Sequence, residues 1–69
     1  MRRRTFHHWS NESVTRIAQY EEHHGKYLGW AETGPGKAKG IEAETETAMR
    51  QKVSHLMRRA GFVPAEEWT

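Results

Sequence analysis

The feature that most constrains this chain is the absence of cysteine from only 69 residues. A domain this short buries about 60% of the surface that its unfolded form exposes. Without disulfides or thiolate metal sites, its core supplies only ~3–5 kcal/mol of net stability. One domain is therefore the upper limit, and its apolar side chains have to be used economically.

The pattern that meets this demand most clearly is near the end of the chain. Met49, Val53, Leu56, Met57 and Ala60 recur at the 4, 3, 1 and 3 spacing of one helix face. The helix is expected to begin between Ile41 and Thr45, where glutamates complement its positive end. Gly61 fits the left-handed residue after the cap, and Phe62 then reaches back to Met57 as in a Schellman ending. Arg58 and Arg59 fall in the last turn, and Pro64 prevents continuation.

Similar logic predicts a first helix from Ser10 to His24. Ser10 supplies an N-cap, and Trp9 and Val14 stand at the two positions of a hydrophobic staple. Val14, Ile17, Ala18 and Glu21 share a face at helical spacing, and Gly25 follows as the cap. Residues 26–32 read as a short middle helix or turn. Residues 33–40, with three glycines and Pro35, read as a loop. The expected architecture is all-α: a small helix-turn-helix-like domain with two main helices and a short middle element. It divides into a basic flexible arm (1–8), a helical domain (9–64) and a tail (65–69). The expected core is Trp9, Val14, Ile17, Tyr20, Leu28, Trp30, Met49, Val53, Leu56 and Phe62.

Charge narrows the class of function. The net charge is +2, every acid is a glutamate, and a block of Glu42, Glu44 and Glu46 precedes a block of Arg50, Lys52, Arg58 and Arg59. On a helical wheel, Thr47, Gln51, Ser54, His55 and Arg58 lie opposite the apolar stripe, flanked by Arg50, Lys52 and Arg59. Such a face is either simply solvated, as on any amphipathic helix, or a binding surface. Gln and Arg can read base edges, and Ser, Thr and Lys suit phosphates. Arg2, Arg3 and Arg4 add a candidate minor-groove arm, or else a solubilising end.

Two segments resemble a known family. Trp9-Ser10-Asn11-Glu12 followed by Ile17, Tyr20, His24-Gly25-Lys26 and Trp30-Ala31-Glu32 is similar to the first two helices of Myb/SANT-type domains. Thr45 to Val53, continued to Leu56, resembles their third helix, with Val53 or Leu56 in place of a tryptophan. The resemblance implies a three-helix fold whose last helix recognises DNA, although SANT-type members also bind proteins.

Other classes are expected to be absent. The residues offer no cysteine nucleophile, no aspartate to orient a base and no phosphate-binding loop, so no enzyme, cofactor or small-molecule substrate is expected. The pairs His7-His8 and His23-His24 lack the i, i+4 spacing of a helical metal site. No apolar run reaches the ~18–20 residues that span a bilayer, and Thr5-Phe6-His7-His8-Trp9 after the arginines is not a signal-peptide core. A soluble, cytoplasmic chain is therefore expected, with no membrane partner. The expected function is regulatory binding of nucleic acid through the last helix and the arm. The alternative is a protein of the transcription machinery such as RNA polymerase. A homodimer built on the methionine-bearing face is a third reading.

Overall fold

The computed structural model describes residues 4–12 and 14–65. The chain is mainly β: β1 (Arg4–Asn11), β2 (Val14–His23), β3 (Lys26–Gly34), β4 (Lys37–Ala43), α1 (Glu46–Arg59) and β5 (Val63–Pro64). The strands form one antiparallel sheet in the order β4-β3-β2-β1-β5. The helix lies across one face, against β3 and β4. This overturns the all-α expectation and, with it, the Myb/SANT resemblance, which needs three helices where the described residues form one.

The turns explain the outcome. Gly25 does take a left-handed conformation, but His24 before it takes one too, at φ 52 against 79 for the glycine. Two consecutive positive φ values between the paired residues His23 and Lys26 make a two-residue hairpin of the I′ type, whose twist matches the strands it joins. The glycine read as a helix cap thus reverses a strand. Likewise Pro35 and Gly36, the latter at φ 67, are a two-residue link between the paired Gly34 and Lys37. The supposed loop over 33–40 is this turn together with most of β4. Ser10 lies within β1, one residue from its end, rather than at an N-cap, and the predicted middle helix is β3.

The last helix is where it was expected. Thr45 caps it, its hydroxyl accepting from the Ala48 N–H at 3.1 Å. At the other end the N–H groups of Gly61 and Phe62 donate to the carbonyls of Arg58 (3.0 Å) and Met57 (2.9 Å), and Gly61 has φ 93. That double bond is the Schellman ending. The turn then directs Val63 and Pro64 alongside β1, where the Ala65 N–H reaches the His8 carbonyl at 2.9 Å.

The core is the seam between helix and sheet. Met49, Val53 and Met57 are fully buried against Trp9, Ala18, Tyr20, Ala31, Ile41 and Ala43, with Phe62 closing one end. Gly29 sets the spacing, because a Cβ there would lie 3.0 Å from the Met49 Sδ and 2.8 Å from the Gln19 carbonyl oxygen. Trp9, Tyr20, Met49, Val53 and Phe62 of the expected core are buried. Leu56 and Leu28 are half-buried, whereas Val14, Ile17 and Trp30 are exposed. The staple between Trp9 and Val14 does not form, since Val14 lies at the start of β2, paired with Asn11. Met49 and Met57, on the face read as a possible dimer contact, are covered by the chain's own sheet.

Candidate binding surface

Alternation along a strand sends successive side chains to opposite faces, so the register sorts the sheet residues into two sets. Thr5, His7 and Trp9 of β1 pair with Tyr20, Ala18 and Arg16 of β2 on the helix side. Arg4, Phe6, His8 and Ser10 pair with Glu21, Gln19, Ile17 and Thr15 on the other, which the helix does not cover. The pairing continues across β3 and β4. One rung of this open face is Phe6–Gln19–Trp30–Gly40 and the next is Arg4–Glu21–Leu28–Glu42.

The open face is apolar at its centre. Phe6 is 52% exposed, Trp30 40% and Ile17 37%. A trough of about 320 Å³ runs beside the Trp30 ring between Arg4, Ile17, Gln19, Glu32 and Ala38. A second hollow, about 250 Å³, lies on the β4 side of the ring, where Gly40 has no side chain to fill it. Charges of both signs surround this centre: Arg4 contacts Glu21 at 3.5 Å and Lys26 contacts Glu42 at 3.7 Å.

The residues singled out in the sequence fall on the opposite side of the molecule. Thr47, Gln51, His55, Arg58 and Arg59 are exposed on α1, with Ser54 and Arg50 half-buried. Several of the basic groups have structural duties. The Arg50 Nε donates to the Tyr20 hydroxyl at 3.0 Å, and its guanidinium lies 3.7 Å from Glu46. The Tyr20 hydroxyl donates in turn to Glu46 at 2.8 Å. Burial pushes the Tyr20 hydroxyl above its usual pKa, against the opposing pull of Arg50 and with reinforcement from Glu46. The bond to Tyr20 raises Arg50 in turn. Lys52 donates to the Glu42 carbonyl at 2.8 Å, and the Arg58 guanidinium stands 5.9 Å from the Trp9 ring centre. Arg4 opens β1 on the uncovered face, so it does not converge with the helix residues. Arg2 and Arg3 are outside the described residues.

His7 and His8 separate as adjacent strand residues must: His7 is buried edge-on to Trp9, at 5.1 Å between ring centres, while His8 faces outward; His23 and His24, at the turn after β2, stay in edge contact at 4.4 Å. Among the described residues no cluster of three or more potential ligands could hold a metal ion, and no helix is long and apolar enough to cross a membrane. No protein-family model, curated protein or solved structure matches the chain. With the helical fold withdrawn, neither the architecture nor these comparisons support DNA binding or transcription regulation of the helix-turn-helix kind.

Phe6, Ile17 and Trp30 were the residues that the sequence misassigned or passed over. No period-2 signal marks them, because residues 4–10 and 26–32 carry apolar side chains on both parities, Phe6 beside Trp9 and Leu28 and Trp30 beside Tyr27 and Ala31.

Proposed function

We propose that this chain is a non-enzymatic protein-binding module whose contact surface is the open face of the sheet. One observation carries the reading: Phe6, Ile17 and Trp30 are exposed together at the centre of a face that the molecule's own helix leaves bare. Large contiguous apolar patches are uncommon on monomeric proteins and mark contact surfaces. An apolar, aromatic centre with a polar rim is the composition of a protein interface.

The rim favours protein over nucleic acid. A phosphate-binding surface is dominated by cations, whereas here the exposed acids Glu32 and Glu42 are interspersed with Arg4, His8 and Lys26. On the helix, Arg50, Lys52 and Arg58 are already engaged within the fold. A partner surface with an apolar centre and charges of both signs at its margin suits the open face.

The test places a photo-crosslinking residue at Ile17 on the sheet or at Gln51 on the helix, in cells of the source organism. The expected result is a discrete protein adduct from position 17 that Trp30→Ser abolishes, and none from position 51. Adducts from position 51 alone would move the surface to the helix. Anisotropy titrations with duplex and single-stranded oligonucleotides test the rival. Saturable, salt-dependent binding that survives Trp30→Ser and is lost in Arg58→Glu/Arg59→Glu would overturn the proposal.

A further inference from the structure

We infer that the partner on the open face is a second copy of this chain, packed sheet to sheet about a two-fold axis that runs along the strands between β2 and β3. This deepens the sheet-face reading and rests on it. The argument comes from how side-chain size and charge are distributed across the four long strands.

An axis in that position lays β1 over the β4 of the other copy and β2 over its β3, and leaves the height along the strands unchanged. Each rung then meets its own reverse. In the rung Phe6–Gln19–Trp30–Gly40, Phe6 faces the partner's Gly40, and Gln19 faces the partner's Trp30. The most exposed aromatic ring of the face thus meets its one missing side chain. The hollow beside Trp30, of about 250 Å³ and bounded by Gly40, is where the ring would seat. In the neighbouring rung, Arg4 faces the partner's Glu42 and Glu21 faces the partner's Leu28. On the other side, His8 falls over the partner's Ala38, and Glu32 lands over the partner's Ile17, one strand from the partner's His8. Bulky and cationic groups are therefore collected on β1, and small and anionic ones on β4. That asymmetry is useless to a solvated sheet, but it makes the face complementary to itself.

Size is consistent with a reversible dimer. Strand spacing and rise give the four-stranded face dimensions of about 19 by 23 Å. Two such faces bury roughly 1,000 Å² in total, near the lower bound of a specific interface. Twisted sheets pack with their strands about 30° apart, so the central rung keeps the best alignment, and that rung is the one bearing Phe6, Trp30 and Gly40. The isologous geometry also closes at two copies.

Sedimentation equilibrium on the full chain tests this. Gly40→Leu is the informative variant, because a Cβ at Gly40 meets nothing within 4 Å of the chain's own atoms. The fold should persist by circular dichroism while the seat for Phe6 is filled. The expected result is a dimer for the unmodified chain and at least roughly tenfold weaker association for Gly40→Leu, a change the assay resolves readily. Arg4→Glu and Glu42→Arg should each weaken the dimer, and the two together should restore most of the loss. A chain that stays monomeric up to about 1 mM, the weakest affinity worth assigning, would overturn the inference. So would a Gly40→Leu variant that dimerises as well as the parent, or a double charge exchange no better than its singles. If the chain is monomeric but the position-17 adduct still forms with a different protein and still depends on Trp30, only the identity of the partner falls. Absence of any sheet-face adduct removes the underlying reading as well.

Discussion

Gly29 and Gly40 occupy the same sheet on opposite faces, and replacing each with alanine separates packing from propensity. At Gly29 the new Cβ would lie 2.8 Å from the Gln19 carbonyl oxygen, 3.0 Å from the Met49 Sδ and 3.0 Å from the Tyr20 Cβ. The Gln19 oxygen is fixed backbone, and Met49 is fully buried with nowhere to retreat. Overpacking of this kind costs about 1–3 kcal/mol. At Gly40 the same methyl group meets nothing within 4 Å. Both substitutions gain about 0.5–1 kcal/mol by replacing glycine within a strand, and that gain cancels between them. The difference in stability should therefore equal the steric cost alone. In a domain of this size each kcal/mol moves the melting temperature by roughly 4–8 °C. Gly29→Ala should melt at least about 4 °C below Gly40→Ala by circular dichroism. The scans belong at dilution, so that loss of association by Gly40→Ala does not enter. Equal melting temperatures for the two variants would mean that Gly29 does not set the helix–sheet distance, and the account of the core given above would be wrong.

Two further predictions concern the buried side. Trp9→Ala removes a fully buried indole at a cost of about 3–5 kcal/mol, comparable to the whole stability expected of the domain; the variant should lose its near-ultraviolet dichroism, and a fully folded Trp9→Ala would contradict the assigned core. Tyr20, whose pKa is raised above the usual tyrosine value chiefly by burial, binds its proton more tightly in the folded than in the unfolded chain. Its contribution is therefore fully present below pH ~10, the ordinary tyrosine value, and is lost as pH rises through the higher folded pKa. Urea midpoints should be flat from neutral pH to that point and fall above it, with a shallower fall in Tyr20→Phe; an unchanged slope would show that Tyr20 does not titrate with unfolding.

What could be read from the sequence was what is local. The helix over 46–59, with a start expected between Ile41 and Thr45, and its Gly61-Phe62 ending depend on residues within one turn of each other, and those signals survive any tertiary context. The sheet depends on a choice that short-range signals leave open. A left-handed Gly25 serves a helix cap and an I′ turn equally well, and the choice was made by His24 joining it at positive φ. Val14, Ile17, Ala18 and Glu21 fit a helical face by coincidence. In β2 they divide between the two sides, Val14 and Ala18 toward the helix and Ile17 and Glu21 toward the open face. Thr47, Gln51, His55 and Arg58 are exposed on the helix and Ser54 is half-buried, but solvent exposure does not by itself make a site. The duties of Arg50 and Lys52 depend on tertiary contacts with Tyr20 and with the Glu42 carbonyl, which no spacing rule reveals.

The failure of the helical reading is itself informative about the open face. An antiparallel sheet with one solvated side alternates cleanly between apolar and polar residues, and strands covered on both sides lose that alternation. In β3 the residues facing the helix, Tyr27, Gly29 and Ala31, are matched by Leu28 and Trp30 facing away. In β1, His7 and Trp9 are matched by Phe6. The central strands are thus patterned for two covered faces, and the single helix supplies only one cover. The pattern that obscured the strands from a period-2 search is the one expected if a second layer completes the fold. The apolar residues that break alternation on the bare face, Phe6, Ile17, Leu28 and Trp30, run over three neighbouring rungs. A second layer over those rungs is what the proposed sheet-to-sheet dimer would supply.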